Sequence, residues 1–404
     1  EPDNARGRLV LAQASLGADD SAAAEKEFVR AIELGTPIDA VIVELTRALV
    51  NQGKFSEAID RSPIASAKSE EDTTEIHQLL GQAYLGTMQP QMARDYFDRV
   101  LQADPDRVDA KLGIAASFQV EKNPVQSRSI LDEIVTTHPD DVRGWIAYGR
   151  LNLTLRSLEA AENNFNVALG LSEDQGDNLA LFAALEGLAN TYLAQQRTEE
   201  ARPVIARMQD LAPTRLETAF LSARIAYLDS EWEIAEEFLQ AIMSAAPDNR
   251  SAQMLLGVVH LRSGNLAQAE MYLSAVVAAA PDNFEARRHL AETRLLMDKM
   301  NEAQAALLPM LSGSGTDYRS LSLAAQASAG LGQFDAAIGY LEESLEQNPN
   351  NLNLQFQLAT TYLNAGRDSD ATRLLAEMDA SDSAENEIRR ESLMVLTDIR
   401  SSDL

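Results

Sequence analysis

The chain has no cysteine, which removes disulfide frameworks, thiolate nucleophiles and thiolate metal sites at once. Glycine and proline, 20 and 13 of 404 residues, are sparse, and aromatics reach only 5%. That leaves little turn chemistry for a many-stranded sheet, so helix is expected before any pattern is read. Positive charge is also short: 34 lysines and arginines face 62 aspartates and glutamates, a net charge of -28 spread along the chain. A field of that sign repels phosphate backbones and anionic lipid surfaces, which argues against nucleic-acid binding and against charge-driven membrane binding. No run of about 18 apolar residues is present to span a bilayer. Hydrophobic residues at 45% and charged residues at 24% are nonetheless ordinary for a chain that folds.

What is present is a repeat. Pro247-Asp248-Asn249 returns 34 positions later as Pro281-Asp282-Asn283, and the same punctuation stands at Pro105-Asp106, Pro139-Asp140 and Pro349-Asn350. Counting from these prolines gives eleven repeats, beginning at 5, 39, 74, 108, 142, 182, 216, 250, 284, 318 and 352. One residue is extra before Thr74, and six are extra at 176–181. The eighth position is Gly or Ala in every copy except Thr46, and the twentieth is Ala except for Ser127. Residues that small at fixed spacing mean two helices crossing closely, where a larger side chain overpacks. The twenty-fourth position is bulky instead, as in Phe28, Phe97, Leu131, Phe165 and Leu239. The spacings 7, 8, 11 and 20, 24, 27 are helical. Gly53, Gly264, Gly332 and Gly366 fall between the two sets, where a C-cap needs positive φ. Each unit therefore reads as a helix, a turn and a helix, with proline ending the second helix and Asp or Asn capping the next.

Leu80-Gly81-x-x-Tyr84 followed by Ala93, Phe97 and Pro105, and Leu256-Gly257 with Ala269, Leu273 and Pro281, resemble the tetratricopeptide repeat (TPR), as does Trp145 at the fourth position. The resemblance implies an all-α fold, a right-handed α-solenoid superhelix of about eleven helix-turn-helix repeats whose first helices line a concave groove that binds other polypeptides. The expected organisation is five repeats over 5–175, an insertion at 176–181 that breaks the regularity, six repeats over 182–385, and at 386–404 the first helix of a further, truncated repeat. Pro2-Asp3-Asn4 has the look of the tail of a preceding repeat, so a parent longer at both ends is expected.

Little catalytic chemistry is visible. His77, His138, His260 and His289 fall at repeat positions four, thirty-one, eleven and six, which do not converge as metal ligands must. No phosphate-binding glycine loop, Gly-x-Ser-x-Gly elbow or His-Glu-x-x-His run occurs. The glycine-rich stretch from Leu311 to Thr316 sits where a repeat ends and reads as a loop. Pairs such as Glu236 and Glu237 lie on second helices and read as a solvated face. No catalysis, no cofactor and no metal are expected.

The first-helix face left over from packing is positions two, five, nine and twelve. Position nine carries Arg47, Gln82, Arg150, Asn190 and Arg224, three arginines within a strongly acidic chain, with Phe220 and Tyr227 beside Arg224. Arg47, Gln82, Arg150, Asn190, Phe220, Arg224 and Tyr227 are the candidate ligand groove, suited to an extended peptide or a polysaccharide through hydrogen bonds and stacking. The plainer reading pairs the arginines with carboxylates such as Glu186, Glu217 and Glu285. Position five holds no lysine, so the carboxylate clamp of chaperone-adaptor TPR domains is disfavoured.

A narrower resemblance covers about 30 residues. Glu27 to Pro37, ending Leu34-Gly35-Thr36-Pro37, followed by Leu45-Thr46-Arg47-Ala48-Leu49-Val50-Asn51-Gln52-Gly53-Lys54-Phe55, is similar to the opening of TPR lipoproteins encoded beside exosortase (PEP-CTERM) and exopolysaccharide genes in Gram-negative bacteria. It implies a non-catalytic scaffold, periplasmic or outer-membrane-associated and lipid-anchored in the parent, with protein or polysaccharide partners. A cytoplasmic hub for a multiprotein complex, or the arm of a larger enzyme, fits the same residues.

Overall fold

The structure is a computed structural model that describes residues 4–62, 66–311, 316–378 and 383–402. Pro2, Asp3 and the centre of the glycine-rich stretch, 312–315, lie outside the described residues. Among those described there are 23 α-helices and no strand. The chain forms two compact units, 1–213 and 214–404, and each is an α-solenoid of packed helix pairs. In the first unit the pairs run from Ala5–Gly17 with Ser21–Glu33 to Asn178–Ala194 with Thr198–Leu211. In the second they run from Leu216–Leu228 with Trp232–Ala245 to Leu352–Asn364 with Asp368–Glu377. The helix Ala384–Ser402 packs on both helices of the last pair. Within each unit the first helices of neighbouring repeats also touch one another. That places them as the inner layer and the second helices as the outer one.

Residue size explains the packing. Positions eight and twenty are buried in every repeat, and position twenty-four fills the space between them. A Cβ built on Gly81 would lie 2.5 Å from Phe97, one on Gly149 would lie 2.7 Å from Phe165, and one on Gly257 would lie 2.7 Å from Leu273. Phe97 and Phe165 are also met from the next repeat by Gly113 and Gly187, at 2.3 and 2.2 Å from a built Cβ. Repeat 2 departs from the rule with Thr46 at position eight and Ser62 at position twenty-four. Both are buried, their hydroxyls 2.6 Å apart, and Thr46 donates to the Ile42 carbonyl at 2.6 Å. Thr46 has one proton to give, so Ser62 donates to it. Pro63 follows Ser62 in sequence, and a residue before proline avoids helical backbone. The second helix accordingly stops at Arg61.

Position fifteen adopts positive φ in all eleven repeats. Four copies are the glycines expected, and the other seven are Asp19, Met88, Lys122, Arg156, Gln196, Ser230 and Asp298. The turn is therefore imposed by packing of the two helices and not by glycine alone. Helix starts are capped as expected at Asn249, Asn283 and Asn351, whose side chains accept from the backbone N–H three residues on at 3.0, 3.0 and 3.2 Å.

The six extra residues at 176–181 form no irregular break. Helices Leu158–Gln175 and Asn178–Ala194 have 18 and 17 residues, where Pro124–Thr137 and Val142–Thr154 have 14 and 13. Each is four longer and the turn between them is two residues, which absorbs the insertion. Gly176 at φ 68 closes one helix, and Asp177 accepts from the N–H groups of Leu179 and Ala180 to open the next. A left-handed glycine followed by a capping aspartate suffices for so tight a reversal.

Candidate functional site

The predicted groove residues divide between the two units. In the first, Arg47 lies on the helix Ile42–Asn51 and donates to Glu75 at 2.8 Å, while the other oxygen of Glu75 accepts from Arg107 at 2.5 Å. Gln82 is exposed on the helix Glu70–Gly86. Arg150 and Asn190 meet at Glu186: Arg150 lies 3.9 Å from its carboxylate, and Asn190 donates to its backbone carbonyl at 3.0 Å. The plainer pairing thus holds for Arg150 with Glu186, whereas Arg47 uses Glu75.

In the second unit, Phe220, Arg224 and Tyr227 lie on one face of the helix Leu216–Leu228. Phe220 and Tyr227 are half-buried against the cluster of Ala223, Leu239 and Leu256, and the Tyr227 ring tilts against Trp232 at 5.6 Å. Their rings thus serve the core as well as the surface. Burial pushes the Arg224 guanidinium below its usual pKa.

A second inner-face feature was not foreseen. In the second unit a cleft of about 360 Å³ opens between first helices Phe284–Leu296, Tyr318–Gly330 and Leu352–Asn364. Its lining includes Arg262, Arg288, Glu292, Arg319, Ser322 and Gln357. Arg262 holds Glu292 with two donors, at 2.6 and 3.4 Å. His289 Nδ1 lies 3.5 Å from the same carboxylate, an ion-pair distance too loosely aligned for a full hydrogen bond. The His289 contact and then Arg262 outweigh the opposing effect of burial and hold Glu292 at about 2. Arg288 reaches Asp317 at 3.2 Å. Burial works to raise the Asp317 pKa, but bonds from Ser320 and the Arg288 charge prevail and lower it. The signal was in the sequence, since Arg288 stands at position five and Arg319 at position two. Neither is at position nine, where the other arginines of the candidate groove stand, and neither has a matching residue in the neighbouring copies.

The histidines are dispersed. His260 is buried and stacks on Tyr272 at 5.6 Å, and His77 tilts against Tyr96 at 5.7 Å. Thr137 meets the His138 ring at 2.8 Å. Among the described residues no three His, Asp or Glu side chains gather to hold a metal ion, and no helix is long and apolar enough to cross a membrane. Glu237 is exposed on its second helix, while Glu236 is half-buried and accepts from Gln240 at 2.7 Å.

The chain is similar in fold to a chain of the APC/C hetero-tetramer Cut9–Hcn1. That match has 16% identity over 98% of this chain and 90% of that one, with a TM-score of 0.54. A tetratricopeptide repeat protein from Parabacteroides merdae matches 62% of this chain and 97% of its own at 15% identity, TM-score 0.47. The pilF protein of Pseudomonas aeruginosa matches 55% of this chain and 98% of its own at 18% identity, TM-score 0.46. No curated protein matches the chain. Family models described as tetratricopeptide repeat match residues 74–107, 220–284, 260–326 and 329–390. With eleven in-register repeats of buried small residues, paired helices and these family matches, the chain belongs to the tetratricopeptide repeat superfamily.

Proposed function

We propose that the protein is a non-catalytic scaffold that binds polypeptide partners through the inner faces of its first helices. The observation that carries this reading is the division of labour along each first helix. Position eight is buried in every repeat against its own second helix, while position nine, one residue on, is open or half-open in all repeats but one, where Val258 is buried. A fold that spends one helix face on packing and keeps a polar one uncovered is suited to holding other chains. The finer reading places the scaffold in the bacterial cell envelope, in exopolysaccharide export or surface-protein sorting, and rests on the resemblance across residues 27–55 alone.

Affinity capture from separated envelope and cytosolic fractions of the native organism tests both levels. The chain is compared with a variant carrying Arg47→Glu and Arg150→Glu, two half-open or exposed positions where substitution leaves the core intact. Capture of defined proteins by the parent chain and their loss from the variant is the expected result, with the captured proteins drawn from the envelope fraction. Capture unaffected by the variant would reject these first-helix positions, and capture from the cytosol alone would replace the envelope reading with that of a cytoplasmic hub.

A further inference from the structure

In the cleft of the second unit, three guanidinium groups share the lining. Arg262 is balanced by Glu292 and Arg288 by Asp317. Arg319 is exposed, and its Nε donates to the Tyr318 hydroxyl at 3.1 Å, its guanidinium 5.6 Å from the same ring. Those contacts use neither of its terminal nitrogens, and the nearby Asp317 carboxylate, which supports its charge, is shared with Arg288. Around it, Ser322 donates to the Gln357 carbonyl oxygen at 2.9 Å, which fixes that side chain and leaves its amide nitrogen to donate. Leu323, Leu354 and the Tyr318 ring supply an apolar floor. Three arginines thus face two carboxylates, Glu292 and Asp317, and this excess of one cation sits beside one oriented amide and an apolar floor in a chain whose net charge is -28.

We infer that this cleft is a docking site for an extended peptide segment carrying one acidic side chain next to an apolar one. The carboxylate pairs with the fork of Arg319, a geometry guanidinium suits better than ammonium. The Gln357 amide donates to a peptide carbonyl, and the neighbouring apolar side chain covers Leu323 and Leu354. One further carboxylate is specified, because three arginines share only Glu292 and Asp317. The volume is in the range that takes a small ligand or a few residues of peptide. This inference rests on the reading that inner faces bind polypeptides and names the chemistry at one such face.

The test uses the whole chain and two sets of N-acetylated, C-amidated octapeptides of Ser, Gly and Leu that differ only in Glu or Gln at one central position, read by isothermal titration calorimetry. The Glu set is expected to bind about tenfold more tightly. That preference disappears in Arg319→Gln and persists in Arg373→Gln, an exposed second-helix arginine of the same unit. Equal binding of the two sets, or a preference that survives Arg319→Gln, overturns the inference. Tight binding of an oligogalacturonate in place of the peptides overturns it in favour of an acidic glycan. Partners still captured by the chain in either case would leave the scaffold reading standing and remove only this site.

Discussion

A phenylalanine at position twenty-four fits only where its neighbours are small, and Phe97 makes the dependence measurable because Gly81 and Gly113 both press on it. Gly81→Ala is expected to destabilise the protein by about 2 kcal/mol through overpacking. Phe97→Leu in the same chain should recover much of that loss, since Ala with Leu is the combination at Ala115 and Leu131 or Ala223 and Leu239. Urea unfolding of the two single variants and the double gives the coupling. Glu292 makes a prediction in pH. Its pKa is depressed in the folded state to about 2, so its stabilising contribution is complete above the ordinary carboxylate range near 4.5. It is lost as pH falls from there toward 2. Glu292→Gln is expected to flatten that part of the stability profile measured by denaturant titration, and an unchanged profile would show that the contacts with His289 and Arg262 do not hold. At this scale the sequence exposed the packing residues fully, because size at a fixed spacing is itself the signal. It did not expose which carboxylate each arginine takes: Glu75 is 28 residues from Arg47 and Asp317 is 29 from Arg288. Nothing local to either residue distinguishes those partners from other acids.

Helices and turns follow rules that were only partly visible. Side chains at position four donate to the carbonyl of the proline that ends the preceding repeat: Trp145 to Pro139, Gln253 to Pro247 and Gln355 to Pro349, each at 2.8 Å. Trp and Gln share a donor at a similar reach and little else, so a pattern built on residue type misses the latch. The insertion was misjudged for a related reason. Extra residues were read as a break, yet helix propagation is favourable once two helices already have a surface to lengthen along. The short second helix of repeat 2 offers the sharpest test. Thr46→Ala strips the buried Ser62 hydroxyl of its partner and is expected to cost about 1–3 kcal/mol. Adding Ser62→Leu restores the small-and-bulky pair used elsewhere and should return part of it. A double variant no more stable than the single, measured by thermal unfolding, would show that repeat 2 has diverged beyond that pair.

At the level of the whole chain, contacts run between neighbouring repeats, so stability should be close to a sum over repeats and interfaces. The fragments 1–213 and 214–404 are each expected to give cooperative helical unfolding by circular dichroism, and loss of helix in either alone would contradict the division into two compact units. The repeat period and the helical class were readable because eleven copies average out the exceptions in any one. The cleft near Arg319 was not, because it belongs to the differences between copies. The central claim is that inner faces of first helices are where partners bind. Photo-crosslinkers placed at the exposed Gln82 and Gln326 on first helices, and at Glu237 and Arg373 on second helices, test it directly in extracts of the native organism. The account predicts polypeptide adducts from the first-helix positions and none from the second, and adducts confined to Glu237 and Arg373 would contradict it.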